Sequence, residues 1–435
     1  MTLAAPKKAG LALGGALLTG GILAVAFNMR GSITGLPPLF PQLGGVAGMS
    51  PATEAALAAV PVLGFGVFSG AAPMAARRIG EERTLGLALV LIVLGLGLRS
   101  AAPGVLLFPG TIIASCAIAF VNVLLPSLIK RRRPERAGLL IGMYLMALTG
   151  GAVVGAVTAV PVFDAAGGSA GAVRLTFGMW ALPAAVAAAV WAPQMRLRTR
   201  PVSAGRCQPG APPARRGVIA MSRHALAWQV TLFMGLQSLS YYATISWFPT
   251  MFTDHGISGA AAGNLLALMN LGNAMTGLIM PVLAQRARDQ RMLVAAAVTL
   301  IMIGVAGSAF APNAVVAIFV GLLGLGQGAS LGLAVFMFTA RTTDGHGAAA
   351  LSGFAQGVGY LIASAGPLLL GFLHAATGGW TVPATALLGV AVAQLAVGVQ
   401  GGRALTISAV KDAGEPVIQR EAPGDRSTGP TQPAR

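Results

Sequence analysis

Charge is what this 435-residue sequence has least of: only 9% of its residues are charged and twelve of them are acidic, while 55% are hydrophobic. A soluble core has no room for that much apolar surface, so the expected solvent is lipid. Aromatics are also scarce, at 6%, whereas glycine supplies 60 positions. Tightly packed membrane helices have this bias, because small residues let backbones approach. Gly151/Gly155, Gly328/Gly332 and Gly353/Gly357 have the matching spacing. Cysteine occurs twice, Cys116 in an apolar run and Cys207 in a basic stretch. A disulfide framework is therefore excluded and both are expected as free thiols. No P-loop, His-Glu zinc motif or Ser/His/Asp set is present, and Gly324-x-Gly326-x-Gly328 lies in a spanning run with no strand before it. The chain is expected to be no enzyme and to need no cofactor or metal. Finally, none of the acidic residues falls at mid-membrane: Glu54, Asp164 and Asp254 sit at outer ends and the others in inner loops or the tail. A buried carboxylate proton relay is missing.

What is present is a series of apolar runs, each long enough for the roughly 30 Å of a bilayer's hydrocarbon. Six are marked near 11–36, 52–76, 84–101, 104–129, 137–162 and 174–193, and six more near 224–252, 259–284, 292–310, 313–340, 347–375 and 380–400. The expected fold is an all-α integral membrane protein of twelve helices in two halves, 1–193 and 224–403. A basic, Pro-rich linker at 194–223 joins them, and a polar tail at 404–435 is read as disordered. Lys7 and Lys8 before the first run resemble a signal peptide, but the run continues through Asn28 and Arg30 without a cleavage pattern, so it reads as an uncleaved first helix. All lysines and arginines except Arg30, Arg99 and Arg174 fall on one side if both termini are cytoplasmic. That asymmetry explains the net charge of +17 through membrane topology, without nucleic acid.

The halves repeat. A shift of 208 residues without a gap lays Gly48-x-Ser50 on Gly256-x-Ser258, Leu63-Gly64 on Leu271-Gly272, Pro73 on Pro281, Arg78 on Arg286 and Arg83 on Arg291. Ser50 and Ser258 read as helix caps, and the Pro and Arg pairs as structural parts of short inner loops facing lipid headgroups. Repeats in one orientation imply a pseudo-twofold axis along the membrane normal, with a solute site between the halves and alternating access by rocking.

Twelve helices, a long basic linker after the sixth, and the Gly-x-x-Pro…Arg-Arg-x-Gly run at Gly70 to Gly80 resemble the major facilitator superfamily. The run departs from that superfamily's usual loop in carrying Ala75 and Ala76 where an acidic residue is common. FNMRGSITGLPPL at 27–39, VPVLGFGVFSGAAPMAARRIGEERTL at 60–85, VNVLLPSLIKRRRPERAGLLIGMYLMAL at 121–148 and SGFAQGVGY at 352–360 resemble, more narrowly, the cyanate and nitroimidazole permease family. The resemblance implies small, compact and often anionic solutes, a bacterial inner membrane, and a monomer whose partners are its solute and the bilayer.

Arg30 is the sharpest candidate. A mid-helix arginine costs about 2.5–3.5 kcal/mol on insertion scales unless it faces a polar cavity. One reading has its guanidinium hold a carboxylate, cyanate or nitro group; the other has it snorkel to the headgroups. Asn28 neighbours it in sequence and Thr34 lies one turn away on its face. Arg99 reads either as an interfacial anchor or as a solute contact, and Asn122 as helix packing or solute contact. Further candidates are Tyr144 in the fifth helix, Gln237 and Tyr241 in the seventh, Asn270 and Asn273 in the eighth, and Gln327 in the tenth. Gln356 and Tyr360 share one face of the eleventh. Tyr242 lies beside Tyr241, and Trp247 reads as an outer-interface aromatic. Coupling is expected as uniport, anion exchange, or proton movement on the solute or through His374. The alternative function is a multidrug-type exporter of small antibiotics or nitroaromatic compounds.

Overall fold

The computed structural model describes residues 5–47, 49–132, 137–195, 220–343, 345–407 and 418–420. Most of the expected linker, with Cys207, and most of the expected tail lie outside the described residues. Among the described residues, fifteen helices carry the spans. In the first half these are α1 (Ala5–Thr34), α2 (Phe40–Ala47), α3 (Pro51–Phe68), α4 (Ala72–Ile79), α5 (Glu81–Ala101), α6 (Pro103–Arg132), α7 (Ala137–Ala165), α8 (Ala170–Gly178) and α9 (Ala181–Met195). The second half has α10 (Ala225–Asp254), α11 (Gly259–Arg286), α12 (Arg291–Phe310), α13 (Val316–Ala340), α14 (Gly345–Thr377) and α15 (Thr381–Gly401).

Among the described residues, nine helical stretches are long and apolar enough to cross a membrane. Their exposed side chains include Leu87, Val90 and Leu94 on α5 and Leu271, Met275 and Leu278 on α11, the apolar outside that lipid requires. α10 is not one of the nine, yet nearly every residue from Val230 to Phe252 is buried. It carries its polar residues inside the bundle.

Three spans are interrupted. Beyond Thr34 the chain turns through a short 3-10 segment, Pro37–Leu39, into α2. The second span breaks at Ser69–Ala71, and the sixth at Met179 and Trp180, between α8 and α9. The Gly-x-x-Pro…Arg-Arg-x-Gly run forms the end of the second span, and Gly80 turns the chain into α5 at φ 92°, a conformation that only glycine adopts freely. Ser50 Oγ accepts from Thr53 N at 3.2 Å and Ser258 Oγ from Ala261 N at 3.3 Å, so the repeated serines cap α3 and α11 alike. Pro281 lies inside α11, Arg286 in its last turn, and Arg291 opens α12 beside Asp289. Arg78 and Arg83 are exposed at the same basic end, and Pro73 falls in the first turn of α4.

Small residues set the packing. A β-carbon on Gly151 would collide with Phe27 O, and one on Gly155 would lie 2.5 Å from Gly31 O, so α7 rides directly on α1. Gly328 sits in the same way on Asn273 O, joining α13 to α11. Around Gly357 there is open space, and no such role exists there. The halves meet where α3 packs on α14, α7 on α11, and the 37–39 turn on α10. Phe40 of the first half stacks near Trp247 of the second, their centroids 6.1 Å apart.

The tail departs from expectation. Leu405–Ile407 (β1) pairs antiparallel with Ile418–Arg420 (β2). Ile407 N donates to Arg341 O at 2.8 Å and the Ile407 side chain is buried. A short strand bonded to the bundle satisfies backbone groups that composition alone leaves to water.

Candidate functional site

Arg30 stands four residues before the end of α1, partly accessible and directed at the second half. Its Nη1 donates to Tyr241 Oη on α10 at 2.6 Å, and its guanidinium carbon lies 5.3 Å from the centre of that ring. Tyr241 Oη in turn donates to Asn270 Oδ1 on α11 at 2.8 Å, and Asn270 Nδ2 donates to Leu266 O at 2.9 Å. The chain has four tyrosines, and Tyr144, Tyr241, Tyr242 and Tyr360 all lie within electrostatic reach of Arg30. They come from α7, α10 and α14, so one cation draws every phenol of the protein around it. No carboxylate acts on it among the described residues.

The walls are aromatic and amide. Tyr242 meets Tyr241 edge-on at 5.2 Å, and Phe65 on α3 lies 6.5 Å from Tyr242 and 5.9 Å from Tyr360. Asn122 Oδ1 accepts a long bond from Tyr144 Oη at 3.5 Å. Asn273, one turn from Asn270 on α11, has a buried Nδ2 without a partner. Arg30, Asn122, Asn273 and Tyr360 are each only partly buried. A guanidinium, phenols and amides without an acid among the described residues form a site that can hold a planar or linear anion by charge-assisted hydrogen bonds.

Other candidates are brought together elsewhere. Gln237 Nε2 donates to Gln327 O at 3.3 Å, and Gln327 Nε2 to Thr244 Oγ1 at 3.0 Å. Both are buried and bind α10 to α13 within the second half. Gln356 bonds Ser352 in its own helix at 2.8 Å. Thr34, with no exposure, shares its hydroxyl proton between Arg30 O and Ala152 O, each at 2.9 Å, which fastens α1 to α7.

Three readings need correction, and His374 stands apart from Arg30. Asn28 lies on the far side of α1 from Arg30 and donates to Trp180 O at 2.9 Å, a carbonyl that also accepts from Ala184 N at 3.3 Å. Arg99 is no interfacial anchor: it is 3% exposed, donates to Ser32 O at 3.0 Å, and stands 5.4 Å over the ring of Phe177. Trp247 is 1% exposed, with Nε1 donating to Pro367 O at 2.8 Å, a core residue instead of an interface one. His374 stacks on Trp380 at 4.0 Å beside Trp247, while Trp380 Nε1 bonds Asp254. It belongs to an aromatic cluster at the bundle end opposite the basic loops.

Phe65 is the wall residue that sequence reasoning missed, since a phenylalanine in an apolar span carries no signal. Asn270 moves from the margin to the centre, because it holds the phenol that holds Arg30.

The Major Facilitator Superfamily model matches residues 18–367. The 2-nitroimidazole transporter of Escherichia coli (strain K12) is 37% identical over 88% of this chain and 94% of its own length. An uncharacterized transporter of Bacillus subtilis (strain 168), YycB, is 36% identical over 88% and 92%, and the cyanate transport protein CynX of Escherichia coli (strain K12) 30% over 86% and 95%. Among solved structures, the inward-facing, unoccupied bacterial homologue of the lysosomal transporter Spinster superposes with a TM-score of 0.69 at 16% identity over 92% of this chain and 96% of that one. With a family model and full-length relatives agreeing on the helical bundle seen here, the chain belongs to the major facilitator superfamily and is a multi-pass membrane transporter of small molecules.

Proposed function

We propose that this transporter carries a small, compact anion or nitro-heterocycle by alternating access, with Arg30 reading its charge or its paired oxygens. The observation that supports this is a partly accessible guanidinium surrounded by phenols and amides, with no carboxylate acting on it among the described residues. A cation among phenols and amides gains from a counter-charge that the described residues do not provide, and the solute brings one. The relatives fit: cyanate is a linear anion, and a nitro group presents two oxygens in the geometry of a carboxylate. Tyr144, Asn122, Asn273, Tyr360 and Phe65 complete the wall. Without a buried acid near the cation, transport proceeds as uniport or exchange. The one-sided Lys and Arg distribution supports an inner-membrane protein with both termini in the cytoplasm.

The test is the thermal midpoint of the detergent-purified protein against cyanate, benzoate and 2-nitroimidazole, because a ligand of the folded state raises stability by mass action. Stabilisation by one of these that vanishes in Arg30→Ala supports the reading. Stabilisation by 2-nitroimidazole that survives intact in Arg30→Ala overturns it in favour of an exporter of neutral heterocycles. Uptake into proteoliposomes that strictly requires an imposed pH gradient would refute the coupling.

A further inference from the structure

We infer that Tyr241 is a selectivity and gating residue, a built-in competitor whose phenol occupies Arg30 until the solute displaces it. This rests on Arg30 as the solute site. Three observations carry it. First, the Arg30 to Tyr241 bond, 2.6 Å, joins α1 of one half to α10 of the other. Second, the phenol's orientation is fixed. Asn270 Nδ2 is committed to Leu266 O, so Asn270 Oδ1 is the free acceptor and takes the phenol proton at 2.8 Å. Tyr241 Oη is left with its lone pairs toward the guanidinium, acting as a neutral stand-in for an anion. Third, both partners are nearly inaccessible, Tyr241 4% and Asn270 3% exposed, so water does not replace this contact cheaply.

An anion paired in two-pronged fashion across the Nη1–Nη2 edge of Arg30 takes the place that Tyr241 Oη holds. Taking it breaks the bond between the halves, and leaving restores it. Solute entry is thereby tied to a change in what holds α1 to α10, where alternating access requires the halves to move. A neutral competitor also sets a threshold. Only a ligand that binds the guanidinium better than a phenol oxygen opens the contact, which selects against weak acceptors such as alcohols.

The substitution that tests this is Tyr241→Phe, which keeps the ring against Tyr242 and removes the oxygen. Benzoate and cyanate are titrated by thermal shift, and entry and exchange are followed in proteoliposomes. The expected result is tighter binding, by about three- to tenfold for the loss of one competing hydrogen bond, with a lower KM and a slower maximal exchange rate. Asn270→Leu leaves the phenol in place but frees its proton to turn, and is expected to tighten binding less. A residue that only supports the fold would lower the unliganded midpoint without tightening binding. Weakened or unchanged binding in Tyr241→Phe overturns the inference. If Arg30→Ala has meanwhile abolished binding, the anion site itself stands; if Arg30→Ala binds normally, both readings fall.

Discussion

An arginine in a bilayer helix costs up to about 2.5–3.5 kcal/mol on insertion scales, and partly accessible Arg30 and buried Arg99 offset that in different ways. Arg30 has phenols and space. Arg99 has a helix end: Ser32 O belongs to the last turn of α1, whose carbonyls have no partner within the helix, and Arg99 Nη1 supplies one. Gly35 N serves Gly31 O and Leu36 N serves Ile33 O in the same turn. A cation at the negative end of the helix dipole adds to the hydrogen bond. Arg99→Ala is therefore expected to destabilise the protein by about 1–3 kcal/mol and to weaken solute binding indirectly, through the loosened turn that carries Arg30. Arg99→Lys, which keeps the charge, should recover part of the midpoint. A normal midpoint with lost binding in Arg99→Ala would place Arg99 in the solute site instead.

At the scale of helices, contact is decided by which small residues face a neighbour. Gly151→Leu has no room, since its side chain would start inside Phe27 O. It is expected to separate α7 from α1 and leave little monodisperse protein on size-exclusion chromatography. Gly357→Ala, with nothing within 4 Å, should match the parent. The spacing alone marks both positions equally, and this is where the sequence runs out. Apolar length made the twelve spans legible, and the cost of a buried charge made Arg30 legible. Hydropathy does not say which way a polar side chain turns, however, so Asn28 and Gln327 looked like Asn270 until their partners were visible. The break at Met179 and Trp180 was missed although Pro183, which has no N–H to donate to Met179 O, stands in the first turn of α9. α10 is buried all round, which erases the period that would reveal a face.

The two halves are the largest repeated units, and their joints at the basic end differ in chemistry. The 208-residue shift lays Glu82 on Gln290, and it brings Arg132 within one residue of Arg341. In the first half Arg132 Nη2 donates to Glu82 Oε1 at 2.7 Å and Nε to the same oxygen at 3.1 Å, tying the end of α6 to the start of α5. In the second, Arg341 donates to Gln290 Oε1 and, at 2.8 Å, to Gly401 O. The first joint includes an ion pair and the second includes bonds to neutral oxygens, and both pin the same pair of spans in each half. Each half can then rock as a unit. Glu82→Gln, which copies the second half, is thus expected to cost about 1 kcal/mol or less, since Arg132 is 28% exposed and stays hydrated. Arg132→Ala removes the cation from a carboxylate that is only 3% exposed, and should cost a few kcal/mol. The double variant should recover part of that loss, because the amide no longer needs the cation. Thermal midpoints of the three variants, at low and high salt, measure this. If Glu82→Gln falls as far as Arg132→Ala, the ion pair itself holds the first half together, and the likeness between the two joints is one of position alone.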